Sequence, residues 1–184
     1  MIVDFEKQQE AHGRGQARGN GRAQYTTSTD FSQVFYEETD RLYRLAYLLT
    51  ADPEKAQQCF VCGLEDSLKG NPVFKEWARS WARRVIIKSA LRVIQPRPIE
   101  EHASAGFGSN DNMLTAEPPE IVAVLLHGAF ERFIYVMSVL EHYSDHDCSL
   151  LLDCAQRDVV AGRMRALRQT GSAMEFHLSS AECA

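Results

Sequence analysis

Ser144-Asp-His-Asp-Cys-Ser-Leu-Leu-Leu-Asp-Cys-Ala-Gln-Arg-Asp-Val-Val-Ala-Gly-Arg-Met-Arg-Ala-Leu-Arg168 is the stretch on which the fold turns. Ser144 is a helix-capping residue type and Asp147 follows three residues on, so an approximate capping box opens a short helix with Cys148, Leu151 and Leu152 on its apolar face. Asp153-Cys154-Ala155 leaves room only for a tight connection. From Gln156 to about Gln169 a second helix carries Arg157, Arg163, Arg165 and Arg168. A short helix, a three-residue turn and a basic helix follow the order of a helix-turn-helix, whose second helix enters the major groove of DNA.

Upstream, Val122, Leu125, Leu126, Ala129, Phe130, Phe133, Ile134, Met137 and Leu140 recur at helical spacing and predict one helix from about Pro119, leading into Glu141-His142-Tyr143-Ser144. Before it, Gln95-Pro-Arg-Pro98, Gly106, Gly108 and Pro118-Pro119 bound a stretch with neither periodicity nor apolar content, which reads as a linker. A structureless run of that length argues for two modules rather than one compact domain.

In the N-terminal half, Ser28 or Asp30 caps a helix carrying Phe31, Val34 and Phe35, and Leu42, Leu45, Ala46 and Leu49 continue the apolar spacing. Asp52-Pro53 ends one helix and starts the next, whose face is Ala56, Cys59, Phe60 and Leu64, before a turn at Gly70-Asn71-Pro72. From Phe74 to about Ile94 a further helix turns Phe74, Trp77, Ala78, Trp81, Val85 and Leu91 inward, with Trp77 assigned to the core, while Arg84, Lys88 and Arg92 recur at i, i+4 and i+8. Seven basic residues (Lys69, Lys75, Arg79, Arg83, Arg84, Lys88, Arg92) stand here against one acid, Glu76, and make a local cationic patch.

The fold expected is therefore all-α, with two small helical domains joined by a flexible linker. Residues 1–28, rich in Gly, Arg and Gln, form a disordered arm; 29–95 is the first domain, 96–118 the linker, 119–170 the helix-turn-helix domain and 171–184 a tail.

Composition narrows the function. The formal net charge of −5 lacks the basic excess of an autonomous DNA binder, so DNA binding has to be local or assisted. Cys59-Phe-Val-Cys62 has the spacing of half a zinc site without a second half, and the five cysteines lack the spacing of a disulfide scaffold, so no metal or other cofactor is expected. Ser, His and Asp occur without a strand-turn-helix context or Gly-rich loop, so no catalytic group is assigned and no enzyme is expected. No apolar run approaches the roughly 18 residues of a membrane span, and residues 1–30 lack a hydrophobic segment, so a cytoplasmic protein without membrane contact is expected.

Leu42-Tyr-Arg-Leu-Ala-Tyr-Leu-Leu-Thr-Ala-Asp-Pro-Glu-Lys-Ala56 resembles the start of region two in bacterial sigma factors of the extracytoplasmic-function type. Phe74-Lys-Glu-Trp-Ala-Arg-Ser-Trp-Ala-Arg-Arg84 is similar to that family's Phe-x-x-Trp-Leu-x-x-Ile-Ala-x-Asn segment. Glu131-Arg-Phe-Ile-Tyr-Val-Met-Ser-Val-Leu-Glu-His-Tyr-Ser144 resembles the region-four pattern Arg-x-Val-Phe-x-Leu-x-x-x-Glu-Gly-Tyr-Ser, with His142 in place of the glycine. Leu150 to Cys154 resembles its Ala-x-x-Leu-Gly-Cys-Ser turn, with Asp153 at the glycine and Ala155 at the capping serine.

The matches run from Phe31 to Arg92 and from Ile121 to Arg168, in family order. The resemblance implies a transcription initiation protein that binds core RNA polymerase and promoter DNA, with an anti-sigma factor as a further candidate partner. It places polymerase contacts at Gln58, Val61 and Cys62, the first two standing where the family carries Asp and Gln. It places DNA contacts at Arg79, Arg83, Arg84, Lys88 and Arg92 in region two and at Arg157, Arg163, Arg165 and Arg168 in region four. The alternative reading is a helical protein-interaction module of the same descent that does not read DNA.

Overall fold

The computed structural model describes residues 24–69, 73–98 and 118–181, the last nine of these as backbone only. The expected arm up to residue 23, the Gly70-Asn71-Pro72 turn, the linker from 99 to 117 and the final three residues lie outside the described residues. The protein is all-α. Its helices are α1 (Ser28–Glu37), α2 (Thr39–Thr50), α3 (Pro53–Leu68), α4 (Ala78–Ile94, entered through a 3-10 turn at Lys75–Trp77), α5 (Pro119–Leu125), α6 (Ala129–Tyr135, running into a π turn at Val136–Leu140), α7 (Asp145–Leu152) and α8 (Gln156–Ala181). Among the described residues the only β feature is an isolated bridge between Tyr25 and Phe74.

Local chemistry sets most of the boundaries. Thr27, one residue ahead of the expected start, caps α1: its hydroxyl accepts from the Asp30 amide at 3.2 Å while the Asp30 carboxylate accepts from the Thr27 amide at 2.8 Å. Asp52 caps α3 by accepting from the Glu54 and Lys55 amides, with Pro53 at the first turn. Ser144 caps α7 by accepting from Asp147. Residues 24–28, expected to belong to a disordered arm, are pinned, since Tyr25 stacks on Phe74 and Thr26 donates to the Val73 carbonyl.

Three features depart from the expected course. The long helix from Pro119 is broken at Leu126-His127-Gly128, because the buried His127 ring bonds Gln169 and Thr170 on α8 and the Arg132 side chain takes the carbonyls of Leu125 and His127. Helix α8 does not stop near Gln169 but passes through Gly171 to Ala181, one glycine being too weak a stop signal by itself. Trp77 is 57% exposed rather than in the core: it lies in the 3-10 turn ahead of α4, outside the helical register, and packs edge-on against Phe74.

The two halves do not have separate cores. One continuous cluster runs from Phe35, Leu45, Leu49 and Ile86 through Val124, Leu125, Phe130 and Phe133 to Met137 and Val159. Helix α2 supplies the shared wall, touching α3 and α4 on one side and α5, α6 and the π turn on the other. Arg132 on α6 locks this junction, its guanidinium donating to the carbonyls of Leu49 at 3.1 Å and Thr50 at 3.5 Å, where α2 ends. The composition of the connection carries no information on whether the units it joins share a surface.

Candidate nucleic-acid and partner interface

Helix α4 sends Ala82, Val85, Ile86, Ile87 and Ala90 into the core, and the same period leaves Arg84 and Lys88 outside. With Lys69, Arg92, Asp66, Trp81 and Val85 they line a groove of about 380 Å³. Arg92 reaches Asp66 at 2.6 Å and Lys69 reaches it at 3.0 Å; these contacts, Arg92 foremost, hold the Asp66 carboxyl below the usual range. Arg84 and Lys88 make no close ion pair among the described residues, although the Asp147 carboxyl, held below the usual range by the Ser144 hydrogen bond above all, is helped there by Arg84. Arg79 is held by Glu37 at 3.0 Å and Glu38 at 3.6 Å, and Arg83 meets Glu141 at 3.8 Å across the junction of the halves.

A second groove, of about 600 Å³, lies on that junction between Trp77, Trp81, Arg83 and Arg84 on one side and Glu141, His142, Tyr143 and Asp147 on the other. Burial raises the Glu141 carboxyl, with Arg83 pulling the other way, and burial raises the Tyr143 phenol against Arg84. The Trp81 indole Nε1 is buried and has no acceptor among the described residues.

The short α7 and the long α8 follow one another through the three residues 153–155. Asp153 adopts the left-handed conformation (φ 50°) that ends α7, and His142 does the same (φ 59°) ahead of it. At these two positions the sigma-factor patterns carry glycine, the residue that enters this region without steric cost. On α8, Arg163 is tied to Asp145 and Arg165 to the buried Glu131 at 2.8 Å. Arg157 is 88% exposed with a loose contact to Asp158 at 3.8 Å, and Arg168 is exposed. Of the nine cations singled out in the sequence, Arg84, Lys88 and Arg168 form no ion pair among the described residues and Arg157 meets only its chain neighbour Asp158, while the other five pair with carboxylates of other elements.

Gln58 and Val61 are exposed on the outer side of α3 and Cys62 is half-buried beside them, while Cys59 turns inward. Burial pushes the Cys59 and Cys148 thiols up to about 11, so both are protonated at neutral pH and poor nucleophiles. Among the described residues no three His, Cys, Asp or Glu side chains cluster as metal ligands, and no helix is long and apolar enough to cross a membrane.

Two groups of consequence went unread in the sequence. Arg132 gave no local signal, since its acceptors are backbone carbonyls at the end of α2 and around the break before its own helix. Val160, Met164 and Leu167 are exposed on α8, and their i, i+4, i+7 spacing was a legible second apolar row beside the inward Val159 and Ala166. No protein-family model and no curated protein matches this chain.

Proposed function

We propose that this chain is a sigma-factor-like transcription initiation protein, with α1–α4 corresponding to region two and α5–α8 to region four, that associates with core RNA polymerase and contacts promoter DNA. The observation that carries the reading is the left-handed backbone at His142 and Asp153, the two positions where the family patterns have glycine. Ala51 and Gln95 end α2 and α4 in the same left-handed conformation, the common helix stop, so what the agreement supports is the placement of the turns before and after α7 that the family patterns imply. The Arg84 and Lys88 groove beside Trp81 supplies a cationic track with an aromatic wall, suited to phosphates with an unstacked base between them. Polymerase contact falls to the open face of Gln58, Val61 and Cys62 on α3.

The test is affinity purification of the tagged chain with core polymerase, followed by DNA binding over a salt series. Polymerase is expected to co-purify, and Val61→Glu to abolish the association. Arg84→Glu with Lys88→Glu should weaken DNA binding and lower the slope of log affinity against log salt by about 2. DNA affinity indifferent to salt would reject the nucleic-acid role.

A second reading, a polymerase- or regulator-binding module that does not read DNA, is favoured by the pairing of Arg163 with Asp145 and Arg165 with Glu131. Polymerase capture without promoter-dependent transcription would decide for it.

A further inference from the structure

Helix α8 carries two rows. The inner one, Val159, Gly162, Ala166 and Thr170, is buried in the contact with α5 and α6. The outer one, Val160, Met164 and Leu167, stands 39%, 52% and 43% exposed, with Arg157 one turn before it and Arg168 beside its end. Gly171 continues the same spacing, and among the described residues nothing lies within 4 Å of the place a Cβ would take. Gly162 differs: a Cβ there would stand 2.5 Å from Ile134 Cδ1 and 3.2 Å from Phe130 Cε1, so a larger residue would have to displace buried side chains. A glycine inside a helix costs about 1 kcal/mol relative to alanine. At Gly171 no described contact requires it, while a bare backbone on the outer row allows a second helix to come close.

We infer that the outer row of α8 is a docking surface for an acidic amphipathic helix of a partner protein. Three exposed apolar side chains at helical spacing take the anchors of a facing helix. Charge selects the partner: Arg168 and Arg157, the latter 88% exposed with only a loose 3.8 Å contact to Asp158, bracket the row, whereas Arg163 and Arg165 are held more closely by the chain's own Asp145 and Glu131. A second copy would bring arginine against arginine in either orientation, and a helix flanked by Glu or Asp pairs with both. Base edges in a major groove are read chiefly through hydrogen bonds, and Val160, Ala161 and Leu167 offer no side-chain donor or acceptor and Met164 only a weak sulfur acceptor. The inference is independent of the α4 groove and holds whether or not that groove takes nucleic acid.

The test titrates the full chain into a labelled synthetic helix about three heptads long, leucine at the apolar positions and glutamate on both flanks, read by fluorescence anisotropy. Saturable binding is expected, weakened about tenfold or more by Met164→Glu and by Leu167→Gln, both at exposed positions and so leaving the unfolding midpoint unchanged. Arg157→Glu with Arg168→Glu should transfer the preference to a lysine-flanked version of the peptide. Four results overturn the inference: no binding of the glutamate-flanked helix; equal binding of both peptides to the natural chain; self-association in sedimentation that Met164→Glu abolishes; or duplex DNA binding that the same substitution abolishes.

Discussion

At Arg132 one guanidinium closes two helices. Its donors reach the carbonyls of Leu49 and Thr50 at the end of α2 and those of Leu125 and His127 at the end of α5, groups that their own helices cannot satisfy. Cationic donors suit helix C-termini, where the backbone dipole concentrates negative charge. Burial pushes the guanidinium down to about 10, still leaving it charged at neutral pH. Arg132→Met removes the cation's desolvation cost yet strands buried acceptors, so a loss of about 3 kcal/mol is expected in urea unfolding. A loss below about 1 kcal/mol would mean that water reaches those carbonyls as readily as the arginine does.

At the scale of elements, two positions test the turns and packing around α8. His142 and Asp153 hold left-handed backbone at a cost of about 1 kcal/mol each for residues bearing a Cβ, so His142→Gly is expected to raise stability by up to about that amount in chemical denaturation. Gly162→Ala should do the opposite of what helix propensity suggests: the added methyl meets Ile134 and Phe130, and a loss of about 1–3 kcal/mol is expected from calorimetry. The starts of α3 and α7 were legible in the sequence because Asp52 and Ser144 bond amides two or three residues away. The break at His127 was not, because its causes, Gln169, Thr170 and Arg132, come from other helices or a later turn. The candidate site divides along the same line. Periodicity located the cations of α4 and α8, but which of them are neutralised depends on Glu37, Glu141, Asp145 and Glu131, brought up by tertiary packing.

For the whole molecule the shared core has a thermodynamic signature. Leu49, Ile86, Phe133 and Met137 lie in one buried cluster, so α1–α4 and α5–α8 are expected to melt in a single transition, with calorimetric and van't Hoff enthalpies equal. Two resolved transitions would contradict it. The same interlock makes the peptide between Pro98 and Pro118 a tether whose ends are already held, at α4 and α5, by contacts that do not depend on it. A cleavage site engineered into residues 99–117 and cut after folding should therefore yield two polypeptides that elute together and part only in denaturant. Joined by a surface rather than by covalent continuity, the halves behave as a heterodimer that happens to be translated in one piece.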